Sequence, residues 1–329
     1  MKLAGEEVPT IFSVGKGAES EMFAPYLADI SSGTVQQYVS DPMALIANSK
    51  RAGVPYSVEG FGFVADGAML SDADFASEEA FYKAVERLAA KGISPIGLSQ
   101  ESYFLIGQIL NTPFAIMDDP TAFREEFEKG NIRLADTPEF QAFAKLMETI
   151  RDKSANPMEI NYDKSCGDFA TGKTAMIHQG NWAYGMFKDY NVSFDMGLQP
   201  VPLMGNQKLS VSVPYYWVVN SQVSEAKQKS AIQFLDWLYT SEKGMDYIIN
   251  QFGFVPAVSN IPTDTLDPLS QDVAQAAGEG NTLVWTFHDW PMNIVDTDFA
   301  PLAEEFFTTP SMSGIDLVNA IDTAYLSRL

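Results

Sequence analysis

The 329-residue chain is 46% hydrophobic and 19% charged, which supplies enough apolar residues for a sizeable core and argues against disorder. At roughly 150 residues per domain, this length predicts two domains. Its 43 acidic against 21 basic residues leave a net charge of −22, which argues against nucleic acid, an anionic membrane or a polyphosphate as the main partner. The single cysteine, Cys166, excludes an internal disulfide and a cysteine-cluster metal site.

The first half of the chain alternates between predicted strands and helices. Residues 8–14 form a short apolar run and predict a strand, and residues 54–65 alternate glycine with aromatic residues, as in a strand whose backbone is closely approached. Apolar residues at helical spacing predict a helix over 77–91. A strand is expected at 93–98, and a helix with a serine cap at 99–110.

The stretch 167–182, GDFATGKTAMIHQGNW, is the most informative part of the chain. It predicts a helix that ends in a Gly-Lys turn, a buried strand at 174–178, and then Gln179-Gly180-Asn181-Trp182 at the carboxyl end of that strand. Ligands of open α/β sheets bind outside the carboxyl ends of strands. A glycine lets a ligand approach the backbone, and an indole offers a flat face, so this end is a candidate site. The alternative, that Trp182 only packs in the core, stays open.

The second half continues the alternation. A helix starting at 138 is followed by strands at 174–178 and 211–220, and residues 251–258 form a second extended, glycine- and proline-marked segment. The overall class is therefore α/β, and the two extended segments predict lobes joined by crossing strands. A helix capped by Ser224 is expected to point four apolar side chains inward. These are Ala231, Phe234, Leu235 and Leu238.

Most catalytic signatures are missing from the chain, including the Gly-x-Ser-x-Gly elbow, the phosphate-binding loop and His-Glu-x-x-His. The two histidines, His178 and His288, lack metal-ligand spacing, and His178 in mid-strand is expected to be a hydrogen-bonded core residue. The Asp pairs 72/74 and 296/298 are expected to be turns or helix caps rather than Ca²⁺ sites. We therefore expect neither a metal nor a cofactor.

Aromatic residues concentrate near predicted strand ends and loops. Sugars present apolar C–H faces and hydroxyls, which aromatic planes and carboxylate or amide edges complement. As a set, the aromatic residues favour a carbohydrate groove, although each one by itself favours a place in the core over a place in the site. The set comprises Tyr103, Trp182, Tyr215, Tyr216, Trp217, Trp285 and Trp290.

The order of these motifs resembles that of the extracellular solute-binding proteins of ABC importers, in particular the sugar-binding group. The most specific match is the block 169–182, with F-A-T-G-K-T-A-M followed by G-N-W, and then the helix 231–238. Residues 56–63, Y-S-V-E-G-F-G-F, resemble the first crossing strand of the family, and 101–103, E-S-Y, resembles a sugar-contacting Glu-x-Tyr. Residues 253–257 continue in register.

The resemblance implies a two-lobe, periplasmic-binding-protein-like (type II) α/β fold with hinge-connected lobes. The expected lobes are 1–57 plus 254–300 and 58–253 plus 301–329. It further implies a non-enzymatic protein that captures a mono- or oligosaccharide in a cleft between the lobes and delivers it to an ABC transporter permease. Its location would be extracellular, either anchored at the cell surface or periplasmic. No nucleic-acid partner is expected.

The resemblance also assigns roles to individual residues. Trp182 is expected to stack on a sugar ring, while Glu59, Glu101 and Tyr103 exchange hydrogen bonds with hydroxyl groups. Tyr215 and Tyr216 would shape the wall of the site. The remaining predicted ligand-binding residues are Asn181, Trp285 and Trp290. Two alternatives stay open: a carbohydrate hydrolase that uses Glu59 and Glu101 as its pair of carboxylates, and a ligand-sensing or interaction module of the same fold.

The chain departs from the family pattern at its beginning. The family's strand–helix–strand unit upstream of residues 8–14 has no counterpart here, and Thr10 replaces an aspartate. The first lobe is therefore expected to expose a sheet edge. Such an unpaired edge strand invites pairing with another chain. A swapped dimer is one predicted outcome.

Overall fold

A computed structural model describes residues 8–187 and 189–329, in which strands and helices alternate along the chain. Residues 1–7 and residue 188 lie outside the described residues. The strands are β1 (Ile11–Gly15), β2 (Leu45–Ala47), β3 (Lys50–Pro55), β4 (Glu59–Asp66), β5 (Ser94–Gly97), β6 (Thr174–Gly180), β7 (Met196–Gln199), β8 (Leu209–Ser212), β9 (Tyr215–Val219) and β10 (Thr282–Leu283).

The helices range from one turn to more than four turns. They are α1 (Ala18–Phe23), α2 (Asp72–Phe75), α3 (Glu78–Ala89), α4 (Asn111–Ala115), α5 (Pro120–Glu128), α6 (Pro138–Lys153), α7 (Tyr162–Ala170), α8 (Tyr184–Phe187), α9 (Glu225–Thr240), α10 (Glu242–Asp246), α11 (Pro268–Glu279), α12 (Ala300–Thr308) and α13 (Gly314–Leu326).

The chain forms two compact units, each with its own sheet. The first unit contains the chain up to Glu59 together with Ser212–Ala274, and the second contains Gly60–Val211 together with Gln275–Leu329. The predicted first lobe combined residues 1–57 with 254–300. The observed first unit additionally contains 212–253 and does not contain 275–300. The difference arises because β9 pairs with strands from the beginning of the chain, which brings the segment after 212 into the first unit.

The sheet of the first unit has the strand order β1-β9-β3-β2, and its neighbouring strands are antiparallel. The predicted strand at 211–220 is in fact two strands that belong to different sheets, since it breaks at Val213 and Pro214. Proline cannot donate a ladder hydrogen bond, so it marks the place where the chain leaves one sheet for the other. The Tyr239 hydroxyl of α9 donates to the carbonyl of Pro55 at 3.0 Å and ties the helix to β3.

Helix α9 covers this sheet with a stripe of apolar side chains at helical spacing, namely Ala231, Leu235 and Leu238. The prediction that Phe234 also points inward is wrong, because 48% of its side chain is exposed. Position 234 lies one residue off the stripe, and its ring contacts that of Trp237 at 5.8 Å on the outer surface.

The sheet of the second unit has the order β10-β8-β4-β6-β5, with β7 also paired to β4. β5 and β6 are parallel, whereas β4 runs antiparallel to β6. The helix predicted at 99–110 is shorter and different in kind: Tyr103–Gly107 form a π-helical turn, with the amide of Gln108 donating to the carbonyl of Tyr103 at 2.9 Å, before α4 begins. Ser99 is buried and does not cap a helix.

His178 lies in the middle of β6, directly opposite Phe63 of β4. Its ring is flanked by Phe61 at 5.7 Å and Phe63 at 5.6 Å. The prediction that His178 lies in the core is confirmed. The prediction that it is hydrogen-bonded there is wrong, because within the described ranges neither ring nitrogen has a hydrogen-bond partner. Burial lowers the pKa of this imidazole to about 3, because the charged form would lose its hydration without gaining a partner.

His178 is expected to make the fold acid-sensitive. Below pH 6.5 the unfolded chain binds a proton at this histidine and the folded chain does not, so the free energy of unfolding falls as the pH falls. Between pH 7 and pH 5 this one group should account for about 2 kcal/mol. The variant His178→Leu should therefore lose about 2 kcal/mol less than the wild type over that interval, as measured by chemical denaturation.

The difference in stability between the two proteins should become constant above about pH 8, where the histidine is neutral in both the folded and the unfolded chain. Parallel curves for wild type and His178→Leu across pH 5 to 7 would contradict the assignment of a neutral, unpartnered imidazole.

Candidate functional site

Trp182 lies at the carboxyl end of β6, and its orientation depends on a glycine. A Cβ atom at Gly180 would stand 2.3 Å from the Trp182 ring and 2.5 Å from the carbonyl oxygen of Gly60, so the indole can only lie here against bare backbone. The indole Nε1 donates to the side-chain oxygen of Gln179 at 2.9 Å. One turn of chain therefore holds the indole, half-buried, with part of the side chain left open to solvent.

Asn181, which was predicted to contact ligand, is buried and braces the strand end. Its side-chain oxygen accepts a hydrogen bond from the Gly60 amide at 3.0 Å. This bond links the start of β4 to the turn that carries Trp182, so Asn181 positions the indole in this structure. Its predicted contact with a ligand stays a prediction.

Glu101 is linked to Trp182 through Tyr162 and Phe104. One oxygen of Glu101 accepts from the Tyr162 amide at 2.9 Å, while the other oxygen is buried and has no hydrogen-bond partner within the described ranges. The ring of Phe104 links the two turns, because it lies 5.0 Å from the ring of Tyr162 and is parallel to that of Trp182 at 6.4 Å. Sequence reasoning did not select Phe104 or Tyr162.

Tyr103 itself projects outward, with 40% of its side chain exposed. Its ring meets the edge of Phe287 at 5.8 Å. The π-helical turn that carries it is packed tightly, since a Cβ atom at Gly107 would stand 2.7 Å from Val295 and 3.0 Å from the Tyr103 ring. Tyr103 thus presents a hydroxyl and a ring face from a well-fixed backbone.

Three aromatic residues predicted to bind ligand are instead packed in the cores of their units. Trp290 is 2% exposed and contacts Phe114 and Phe299, with ring centroids 5.2 and 5.7 Å away. Trp285 is buried against Phe61 at 5.2 Å. Tyr216 is fully buried. Alternate residues of a strand point to opposite faces, and Tyr216 lies on a buried face of β9.

Tyr216 thus faces the core, while its neighbours Tyr215 and Trp217 lie on the other face of β9. Burial raises the pKa of the Tyr216 hydroxyl to about 12. We leave Tyr216, Trp285 and Trp290 out of the site proposed below.

The first unit carries a second aromatic surface around Tyr215. The Tyr56 amide donates to the Tyr215 carbonyl at 2.9 Å, which places the two side chains together at the end of β3 and β9. The ring of Tyr56 is stacked on Trp217 at 3.8 Å and lies 6.0 Å from the ring of Tyr215. Tyr215 is 49% exposed and forms the outer face of this group. Sequence reasoning named Tyr215 but did not select Tyr56.

Two carboxylates lie beside this aromatic surface. Glu59 accepts a hydrogen bond from the Ser57 hydroxyl at 3.2 Å, and Glu19 accepts one from the Gly15 amide at 2.8 Å. Burial raises the pKa of Glu59 to about 6, and the bond from Ser57 offsets this only in part. Burial first, and then the charges of Glu19 and Glu59, raise the pKa of Tyr215. Glu19 was not expected at the site.

The raised pKa of Glu59 means that its ionised form costs stability. The folded chain holds this proton more tightly than the unfolded chain, so the free energy of unfolding falls as the pH rises from 4.5 through 6. The loss at pH 7 should be about 2 kcal/mol. Glu59→Gln should therefore stabilise the ligand-free protein by up to about 2 kcal/mol at pH 7 to 8 and have little effect at pH 4, as measured by chemical unfolding.

Glu21→Gln is the matched control, because Glu21 is exposed on α1 and its replacement should leave the pH profile unchanged. A Glu59→Gln variant that shifts stability equally at pH 4 and pH 8 would contradict the burial argument.

Asp74 and Asp298, one from each aspartate pair considered as a Ca²⁺ site, have other partners in the protein. Asp74 accepts from the Ser71 amide in a capping box and pairs with Arg87, and Asp298 pairs with Arg328. Within residues 8–187 and 189–329, no group of three or more His, Cys, Asp or Glu is placed to hold a metal ion. In the same ranges, none of the helices combines the length and the hydropathy that crossing a membrane requires.

The family model for bacterial extracellular solute-binding proteins matches residues 7–278. The chain belongs to this family. The sequence resemblance is therefore confirmed, and the family is one of binding proteins that act outside the cytoplasm.

The xylose/arabinose-binding protein XacG of Haloferax volcanii is 29% identical over 144 residues. That match covers 40% of this chain and 30% of XacG, so it spans less than a third of the relative's length.

Solved structures show the same fold along almost the whole chain. The solute-binding protein RafE in complex with raffinose superposes with a TM-score of 0.80 at 18% identity, over 98% of this chain and 86% of RafE. A sugar transporter protein of Bacillus licheniformis in complex with stachyose gives a TM-score of 0.77 at 14% identity, over 98% and 86%. The predicted fold class, a two-lobe α/β solute-binding protein of type II, is confirmed.

Proposed function

We propose that this protein is the substrate-binding component of an ABC importer and that it captures a mono- or oligosaccharide for delivery to a permease. The observation that carries the proposal is the indole of Trp182, which is fixed by Gln179 and Gly180 and partly open at the carboxyl end of β6. Support comes from relatives whose names state a sugar: XacG with xylose and arabinose, and RafE with raffinose. An extracellular or periplasmic location is in line with the family, and anchoring at the cell surface is part of the proposal.

In this proposal the second unit contributes a stacking face and hydroxyl contacts. A sugar ring would place its apolar C–H face on Trp182, as aromatic rings do with apolar surfaces. The unpartnered oxygen of Glu101 would accept from a sugar hydroxyl, because a buried acceptor without a donor gains most from one. The exposed Tyr103 would donate or accept at the rim.

The first unit would contribute a second sugar-binding surface, with Tyr215 as an exposed ring and Glu59 as an acceptor for hydroxyl groups. No covalent chemistry is needed, and the sugar leaves unchanged.

Trp182→Ala tests the stacking role. Removing the indole should weaken binding of a responding sugar about tenfold, in line with the energy of an aromatic stacking contact plus its buried area. The measurement is titration calorimetry after a thermal-shift screen of mono- and oligosaccharides, in which a ligand of the folded state raises the melting temperature.

Trp237→Ala is the matched control, since this half-exposed tryptophan lies on α9 of the first unit and should not alter affinity. A Trp182→Ala variant with wild-type affinity would rule out stacking. Recovery of shortened sugar, abolished in Glu59→Gln or Glu101→Gln, would favour the hydrolase alternative, whereas recovery of intact sugar favours the binding protein.

A second proposal concerns self-association. In the described part of the chain β1 pairs only with β9, so its other edge has no strand partner. Beside it runs a groove with a volume of about 430 Å³, lined by Ile11, Ala231 and Phe234 among others. An open edge next to apolar side chains favours pairing with a second copy.

Phe234→Glu tests this pairing, because a carboxylate in the groove opposes burial. Light scattering after size exclusion should show a dimer fraction that rises with concentration in the wild type and is lost in Phe234→Glu. Trp237→Glu, on the same helix but not lining the groove, should behave as the wild type. A mass of one chain at every concentration would contradict the proposal.

A further inference from the structure

We propose that the surface around Tyr215 selects the charge of the sugar, admitting neutral and amino sugars and excluding sugars that carry a carboxylate. We call this surface the Tyr215 wall and define it as Tyr56, Tyr215, Trp217, Glu19 and Glu59. The inference rests on the proposed function, because it narrows the class of sugar that the proposed binding protein takes.

The strand register brings the members of the Tyr215 wall together. On one side of β9, Gly15 is paired with Tyr215, and the Gly15 amide holds the carboxylate of Glu19 at 2.8 Å. On the other side, the Tyr56 amide bonds to the Tyr215 carbonyl, and Glu59 follows three residues later. Tyr215 is therefore flanked by one carboxylate from each neighbouring segment.

The wall has the form of a sugar-binding surface and not only of an acidic cluster. Tyr56 and Trp217 form a stacked pair with ring centroids 3.8 Å apart, and Phe254 extends it at 6.1 Å from Tyr56. Tyr215 leaves about half of its side chain open beside them. Exposed rings with polar atoms at their edge are the usual surface for the C–H faces and hydroxyls of a sugar.

The polar atoms at this edge are mostly acceptors. A carboxylate can only accept hydrogen bonds, so it pairs with hydroxyl and ammonium donors and opposes another carboxylate through both charge and lack of a proton. Burial raises the pKa of Tyr215 most, and the charges of Glu19 and Glu59 raise it further. No lysine or arginine forms an ion pair with Glu19 or Glu59 in the described ranges, so their charges are not neutralised.

Lys16 is the cation nearest to the wall in sequence, and its side chain is exposed next to Gly15. It is the group of this segment that would attract an acidic sugar. The test therefore includes Lys16→Gln alongside the acidic variants, so that attraction by the lysine and repulsion by the carboxylates are measured separately.

The first step is a glycan array that displays neutral, amino and uronic-acid oligosaccharides, probed with the labelled full chain. Binding confined to neutral and amino saccharides supports the inference. Binding of uronic-acid saccharides as strong as that of neutral ones overturns the inference and leaves carbohydrate capture standing. An array without any binding overturns the proposed function itself, so the two failures are distinguishable.

The second step is calorimetry with the strongest neutral saccharide of the array and its analogue in which a primary alcohol is oxidised to a carboxylate. The wild type should bind the carboxylate analogue at least tenfold more weakly. Glu19→Gln and Glu59→Gln should each narrow this ratio, and Glu21→Gln on the same helix as Glu19 should not. Raising NaCl from 0.05 to 0.5 M should narrow the wild-type ratio, because salt screens charges that are open to solvent.

A ratio that stays unchanged in both Glu19→Gln and Glu59→Gln overturns the inference. Tight binding of the carboxylate analogue that is lost in Lys16→Gln overturns it as well, since the lysine and not the acids would then set the preference.

Discussion

The pairing of β9 with both β1 and β3 is the constraint on which the first unit depends. Strand β9 lies more than 150 residues after β1 and β3 in the chain, and its side chains Tyr216 and Val218 are fully buried on one face of the sheet that the three strands form. The same register fixes the opposite face of β9. Tyr215 and Trp217 must then lie between the ends of β1 and β3, where Glu19 and Tyr56 arrive.

In the second unit, the candidate site residues are positioned by two glycines, which have no side chain and so allow close packing. Gly180 permits the indole of Trp182 to lie on the strand, and Gly107 permits the turn that carries Tyr103 to pack against Val295. Glycine in a strand or helix interior weakens that element, so its presence at both positions is explained by close approach. The backbone of the candidate site is therefore closely packed at both glycines, and the open part of each side chain is the part left for a ligand.

Local pattern was enough to predict the class, β6, α9 and the turn with Trp182, because periodicity and caps are local properties. It failed where the burial of a residue depends on contacts with segments that are distant in the sequence. Phe234 has the composition of a core position, yet it lies one residue off the stripe that the sheet covers. Tyr215 and Tyr216 are identical in type, and only the pairing of β9 shows which one is buried. Glu19 has no motif, since its partner is a backbone amide.

His178 and Glu59 both lack an ion-pair partner in the described ranges, but they differ in what their burial achieves. His178 lies between phenylalanine rings in a closed sheet, so its neutral form is the one the core accepts and no ligand can improve its hydrogen bonding. Glu59 lies beside a half-exposed tyrosine and has only Ser57 as a donor. A hydroxyl or ammonium donor at Glu59 would stabilise its ionised form and offset the cost of burying it. The ligand-free protein is thus less stable at neutral pH than it would be with an uncharged residue at this position. A ligand that donates a hydrogen bond to Glu59 gains affinity because it supplies the donor that the ionised carboxylate lacks.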